Sequence, residues 1–214
     1  AGNISPPALS ALMDALDYDA LPEVWVLELS SFQLESTYSL KSDAAVVLNL
    51  SQDHLDWHGS MQAYADAKAR LFRHAAIQVV NRDDALVMAM VEGLQCMEVR
   101  SFGRGLPEYA GDLGLENNHA IEWLAAVPLQ EADPAASAGR RKIKEVPTRP
   151  SGAVQRLMPT EALRLQGRHN ALNALAAMAL VQTVGGGLAP MLHALREYAG
   201  EPHRCQFLRS VGGV

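Results

Sequence analysis

Two short, unbroken apolar runs constrain this chain more than anything else in it: Val24-Trp25-Val26-Leu27 and Ala44-Ala45-Val46-Val47-Leu48. Runs of this length without polar alternation are the pattern of strands buried on both faces, as in a parallel sheet covered by helices. Ile77-Gln78-Val79-Val80 is a third candidate. A helix is expected from about Met61 to His74, a second from about Asp84 to Glu92, and a strand over about 97–102. That β-α-β-α order predicts an α/β fold: an open, mostly parallel sheet with helices on both faces. After Gly103 the pattern changes, and residues 119–127 and 154–158 read as strands of a small additional sheet, antiparallel in character. Between them, residues 130–152 are rich in Pro, Ala, Gly and basic residues, the composition of a mobile insertion. Helical pattern returns over Asn170–Val184, stopped by Gly185-Gly186-Gly187, and over Leu188–Tyr198.

With 214 residues, 49% of them hydrophobic, the chain can bury one large core or somewhat more. No apolar stretch approaches the roughly 18–20 residues that a membrane span needs, so no membrane partner is expected. The net charge is −6 and the 18 basic residues are not gathered into a face that would suit nucleic acid. The one basic run, Arg140-Arg141-Lys142-Ile143-Lys144, reads as a solvated loop. Cys96 and Cys205 have neither metal-site spacing nor the density of a disulfide framework, which fits a reducing cytosol. Nothing at the start resembles a secretion signal. The first residue is Ala1 and the last is Val214, and both ends read as cuts through a longer protein.

Chemistry collects after the strands. The first run ends in Glu28, followed by Leu29-Ser30-Ser31-Phe32-Gln33; the second leads to Asn49-Leu50-Ser51-Gln52-Asp53-His54. In open α/β sheets ligands sit beyond the carboxyl ends of strands, so parallel strands here would bring Glu28, Ser30, Asp53 and His54 to one crevice. A hard cation such as Mg²⁺ suits one or two carboxylates with waters. The alternative for Glu28 is a strand-end carboxylate meeting solvent, and for His54 a structural histidine.

Lys68 falls in the middle of the stripe formed by Met61, Tyr64, Ala65, Leu71, Phe72 and Ala75. A buried ammonium is costly, so such a lysine is paired, snorkelled past Leu71 to water, or driven neutral. A neutral amine can take up carbon dioxide and become a carbamate, which offers oxygen ligands to a metal. Asn170 and Asn173 lie three apart at the start of an Ala/Leu-rich helix. Their amides suit the edge of a nucleobase, or Asn170 is simply the N-cap. Arg204, after the Gly200-Glu201-Pro202 turn, either reaches a phosphate or lies on the surface.

In order along the chain, Gly2-Asn3-Ile4, Glu28-Leu29-Ser30-Ser31-Phe32-Gln33-Leu34-Glu35, Asp53-His54-Leu55-Asp56, Tyr64-Ala65-Asp66-Ala67-Lys68, Gly167-Arg168-His169-Asn170-Ala171-Leu172-Asn173 and Pro202-His203-Arg204 form a set. That set resembles the Mur ligase family, in its D-glutamate-adding branch, over nearly the whole chain except about 104–160. The resemblance implies an ATP-dependent amide ligase of peptidoglycan precursor synthesis, cytoplasmic and monomeric, acting on UDP-N-acetylmuramoyl-L-alanine and D-glutamate with two Mg²⁺ sites. It implies metal-site roles for Glu28 and His54, and a carbamylated, metal-binding role for Lys68, with His54 and Lys68 catalytic. It also implies substrate contacts at Asn3, Ser30, Gln33 and His54, adenine-side roles for Asn170 and Asn173, and an ATP-side role for Arg204. It assigns residues 1–201 to a central ATP-binding domain and 202–214 to the start of a C-terminal ligase domain.

Two departures bear on activity. The family's glycine-rich phosphate loop, ending in Gly-Lys-Ser/Thr, occurs nowhere in this sequence and is expected upstream of Asn3, and Ser5 stands where glycine is expected. The 214 residues alone are therefore expected to be inactive in ligation. Three other readings stay open: a sister Mur or folylpolyglutamate-type ligase, a nucleotide-binding module without enzymatic activity, and a metal-dependent hydrolase built on Glu28, His54 and Lys68.

Overall fold

The second and third apolar runs are strands, as predicted, in the computed structural model, which describes residues 1–92, 94, 98–129 and 149–201. Strands β1 (Ala44–Val47) and β2 (Ile77–Asn81) run parallel, with Ala44 opposite Ile77 and Val47 opposite Val80. Val79 and Val80 are fully buried, as an unbroken apolar run requires. Gln78 is buried beside them, and its Nε2 donates to the Phe72 carbonyl at 3.0 Å, which offsets part of its desolvation.

The chain divides into two compact units, Ala1–Val99 and Arg100–Val214. The first contains α1 (Ala8–Asp17), α2 (Ser31–Glu35), β1, α3 (Leu55–His58), α4 (Met61–Ala69), a 3₁₀ turn at Arg70–Phe72, β2 and α5 (Ala85–Ala89). A parallel pair cannot be closed by a tight turn, and the crossover from β1 to β2 carries α3 and α4. Ala45, Val47, Leu50, Tyr64, Ala65, Phe72, Val80 and Val87 form the core of this unit. Asp84 caps α5 by accepting from the backbone N–H groups of Leu86 and Val87, and its other oxygen accepts from Leu50 N–H at 2.7 Å. One carboxylate thus fixes both a helix start and the segment that leaves β1.

The first apolar run is not a strand. Val26 is 73% exposed, and Val24, Trp25 and Leu27 are exposed as well. Among the described residues the segment pairs with the first residues of the chain: Ala1 donates to the Val26 carbonyl, Glu28 N–H donates to the Ala1 carbonyl, and Asn3 N–H donates to the Glu28 carbonyl. Gly2 and Glu28 form an isolated parallel bridge. An apolar run becomes a buried strand only with cover on its faces; β1 has that cover from Leu50, Tyr64 and Phe72, and this run stays exposed. Helix α1 likewise buries none of its residues, with Leu9, Met13 and Leu16 exposed.

Strand β3 (Glu98–Phe102) straddles the division between the units, and the second unit continues with β4 (Leu113–Asn118), β5 (Ile121–Ala126), β6 (Gln155–Pro159), a 3₁₀ turn at Thr160–Ala162, α6 (Arg168–Thr183) and α7 (Leu188–Glu197). β3 and β4 are parallel, whereas β4–β5 and β5–β6 are antiparallel. In the second unit the antiparallel strands expected as a small additional sheet continue from β4, which pairs parallel with β3 at Phe102 and Leu113. β4 and β5 form a hairpin whose two turn residues, His119 and Ala120, are both left-handed (φ 50° and 64°), the twist that a two-residue hairpin needs. Helix α6 packs against β4 and α7 and buries Leu175 and Met178 together with four alanines, Ala171, Ala174, Ala176 and Ala179. Most of the expected insertion (130–148) and the expected start of a C-terminal domain (202–214) lie outside the described residues.

Candidate functional site

The site is built where two short helices meet. Ser30 is the N-cap of α2: its Oγ accepts from Gln33 N–H at 3.3 Å, while Gln33 Oε1 accepts from Ser30 N–H at 3.0 Å and from the Ser30 hydroxyl at 3.2 Å. This is a capping box, and it ties the Ser30 hydroxyl and Gln33 Oε1, on two predicted substrate-contact residues, to each other. The S-x-x-Q spacing that signals it was present in the sequence. Asn3 is held against Glu28, two residues before Ser30, by its backbone N–H, which donates to the Glu28 carbonyl at 2.7 Å.

His54 precedes α3 in a left-handed conformation, φ 54°. That region is uncommon for a residue with a Cβ. Its Nε2 lies 3.5 Å from Asp53 Oδ2, and its ring is 4.9 Å from Phe32 and 6.1 Å, edge-on, from Tyr64. Phe32 also meets Trp57 edge-on at 5.3 Å and stacks on His58 at 5.7 Å. The segments Glu28–Gln33 and Asp53–His54 therefore do come together, through this aromatic cluster and not through a pair of neighbouring strands. Phe32, Trp57, His58 and Tyr64 were not singled out by spacing, because the cluster forms between segments more than twenty residues apart.

Lys68 is half-buried on α4, with Nζ 5.4 Å from the centre of the Tyr64 ring. Burial pushes its pKa below the ordinary lysine value, and the negative charges of Glu28 and Asp53 oppose that shift without cancelling it. Tyr64 is pushed up, by burial first and then by Asp53. Glu28, Asp53 and Lys68 thus share one electrostatic neighbourhood beside His54. Among the described residues no three His, Cys, Asp or Glu side chains converge as a ready-made metal cage. Two carboxylates are what a hard, partly hydrated cation uses, and an amine convertible to a carbamate would add oxygens.

The predicted adenine-side residues lie in the second unit, at the start of α6. Gly167 (φ 98°) is the N-cap there, so Asn170 is not; its Nδ2 donates back to the Gln166 carbonyl at 2.9 Å. Asn173 is exposed, one turn further on. Arg204 lies outside the described residues.

A parallel strand pair whose crossover carries Asp53, His54 and Lys68, with Glu28 acting on the same amine, defines an α/β domain suited to handling charged ligands. The chain belongs to the Mur ligase family: the model for the Mur ligase middle domain matches residues 5–181. Along its full length it is 60% identical to UDP-N-acetylmuramoylalanine--D-glutamate ligase of Bordetella pertussis and 48% identical to that of Paraburkholderia phymatum. It spans 42% and 43% of the lengths of those two relatives. Among solved structures, a UDP-N-acetylmuramoyl-L-alanyl-D-glutamate--2,6-diaminopimelate ligase matches 94% of this chain over 38% of its own, with TM-score 0.59 and 24% identity. MurF from Acinetobacter baumannii matches 87% over 36% of its own, with TM-score 0.53 and 18% identity. These two structures speak for the shared fold.

Proposed function

We propose that the full-length protein is the cytoplasmic ligase that joins D-glutamate to UDP-N-acetylmuramoyl-L-alanine at the expense of ATP. The observation that carries the reading is the neighbourhood of Lys68: a half-buried amine beside Tyr64, subject to Glu28 and Asp53, in a chain with relatives of that activity at 60% identity.

A carboxylate is a poor electrophile, so the alanyl carboxylate must first gain a leaving group. One of its oxygens attacks the γ-phosphorus of ATP, and ADP departs, leaving an acyl phosphate. The amine of D-glutamate then attacks the acyl carbon; the C–N bond forms, the C–O bond to phosphate breaks, and the amine gives up its proton. The protein's part is to position these groups and stabilise their charge.

Glu28, His54 and a carbamate on Lys68 would hold Mg²⁺, which when bound offsets negative charge on the phosphate oxygens. The lowered pKa of Lys68 raises the fraction of neutral amine, whose nitrogen bonds to the carbon of carbon dioxide with loss of a proton. Asn3, Ser30, Gln33 and His54 contact the UDP-muramoyl substrate, with His54 and Lys68 nearest the reacting groups. Asn170 and Asn173 read the adenine edge, and Arg204 meets ATP phosphate.

The test is phosphate release from ATP by the full-length protein with UDP-N-acetylmuramoyl-L-alanine and, in turn, D-glutamate, L-glutamate or a diamino acid. Release that needs D-glutamate and is lost in Lys68→Ala supports the reading. Release with another amino acid moves the protein to a sister ligase, and none with any of them rejects ligation.

A further inference from the structure

We propose that His58 is a positioning residue for this reaction, setting through Ser31 and Phe32 where Ser30 and Gln33 stand relative to His54. The inference rests on the ligase reading above. Helix α3 is a single turn of four residues, none of them buried, bounded by left-handed His54 (φ 54°) and Gly59 (φ 75°). Helix α2 is only five residues long. Helices this short do not hold themselves in water, so side-chain contacts must fix them.

Two polar links join α3 to α2. Trp57 Nε1 donates to Glu35 Oε2 at 2.8 Å, but this bond is exposed and Trp57 is 64% exposed. His58 Nε2 meets Ser31 Oγ at 2.9 Å in a part-buried setting, and Ser31 is 3% exposed. Water competes with the first link and hardly with the second, so the His58–Ser31 bond is the stronger constraint. The His58 ring also stacks on Phe32, interplanar angle 10°, and Phe32 packs on His54. Ser31 follows the N-cap Ser30, and His58 closes the turn that His54 opens. Loss of the His58 nitrogen would leave a buried hydroxyl without this partner and let the two predicted contact segments drift apart.

The full-length enzyme tests this with His58→Phe, His58→Gln, Ser31→Ala and the Ser31→Ala/His58→Phe pair. His58→Phe keeps the stacked ring and removes the polar link; His58→Gln restores a nitrogen at similar reach. The expected result is a fall in kcat of roughly tenfold or more for His58→Phe, with the KM for ATP within about twofold and Tm little changed. His58→Gln should recover most of the loss, and the double variant should lose no more than His58→Phe alone. An unchanged kcat in His58→Phe, or losses that multiply in the double variant, overturns the proposal. A second readout is independent of turnover: the His54 ring ¹⁵N resonances should move in His58→Phe and return in His58→Gln. If wild-type protein shows no D-glutamate-dependent release, the ligase reading fails; His54 resonances that stay put in His58→Phe overturn the positioning role itself.

Discussion

The Lys68 amine lies 5.4 Å from the centre of the Tyr64 ring, one turn earlier on the same helix, and Asp53 acts on both groups. The aromatic face takes the place of water on one side of the amine. Burial is the largest influence on its proton, ahead of the attraction of Glu28 and Asp53.

Lys68 should therefore lose its proton below the ordinary lysine value of 10.5. The folded chain gives up this proton at lower pH than the unfolded chain does. Between the lowered value and 10.5 the unfolded state binds more protons, so this group's contribution makes stability rise with pH across that window. Below the window the buried ammonium is a net cost. An NMR titration of the lysine side chains, with Lys68→Arg to assign the signal, checks it; a midpoint at or above the ordinary value rejects it.

Gly2 should not tolerate a side chain. Its φ is 124°, and a Cβ there would collide with the Glu28 carbonyl oxygen. Gly2→Ala is expected to strain the backbone by on the order of 1–3 kcal/mol, or to break the pairing that holds Asn3 against Glu28. The full-length enzyme should then lose at least about tenfold in kcat/KM for the UDP-muramoyl substrate. Unaltered kinetics would mean that this pairing does not position Glu28.

Asp84→Ala removes the α5 cap and the bond to Leu50 N–H together. A loss of about 1–2 kcal/mol is expected, read from the denaturant midpoint. Asp84→Asn should recover part of it, because an amide oxygen still caps.

Asp112 is 2% exposed and accepts from Ser101 N–H at 2.7 Å, from Tyr109 N–H at 3.3 Å and from the Arg149 guanidinium. Asp112→Ala should cost about 3 kcal/mol, because it strips a buried donor set of its acceptor. Arg149→Ala should cost less, since Arg149 is 27% exposed and the backbone donors still hold the carboxylate. Equal losses in the two unfolding curves would contradict that order.

What the sequence made legible followed from how local each signal is. β1 and β2 were readable because their apolar residues pair with each other and are covered by the core of the first unit. Val24–Leu27 carries the same signal but stays exposed, and apolarity reports the need for cover without supplying it. β4 was missed because Gly114, Asn117 and Asn118 look like turn residues, yet its cross-strand partners on β5 hold it extended. Lys68 was visible as a cation in an apolar stripe, since helical period is a local property. The aromatic cluster around His54 was not, because it depends on how two segments fold onto each other. Asn170 looked like a cap by residue type, but the left-handed Gly167 three residues earlier takes that place.

The closed hydrogen-bond pair of Ser30 and Gln33 has a thermodynamic consequence. In the free protein the Ser30 hydroxyl and Gln33 Oε1 are already engaged with each other, so a ligand that takes either of these atoms must exchange bonds there, not add them. Heat released from this segment on binding should be small, and opening the box would loosen the first turn of α2. Such a segment adds little to affinity. It admits ligands whose acceptors and donors can imitate the bonds it already makes, and so it selects by geometry.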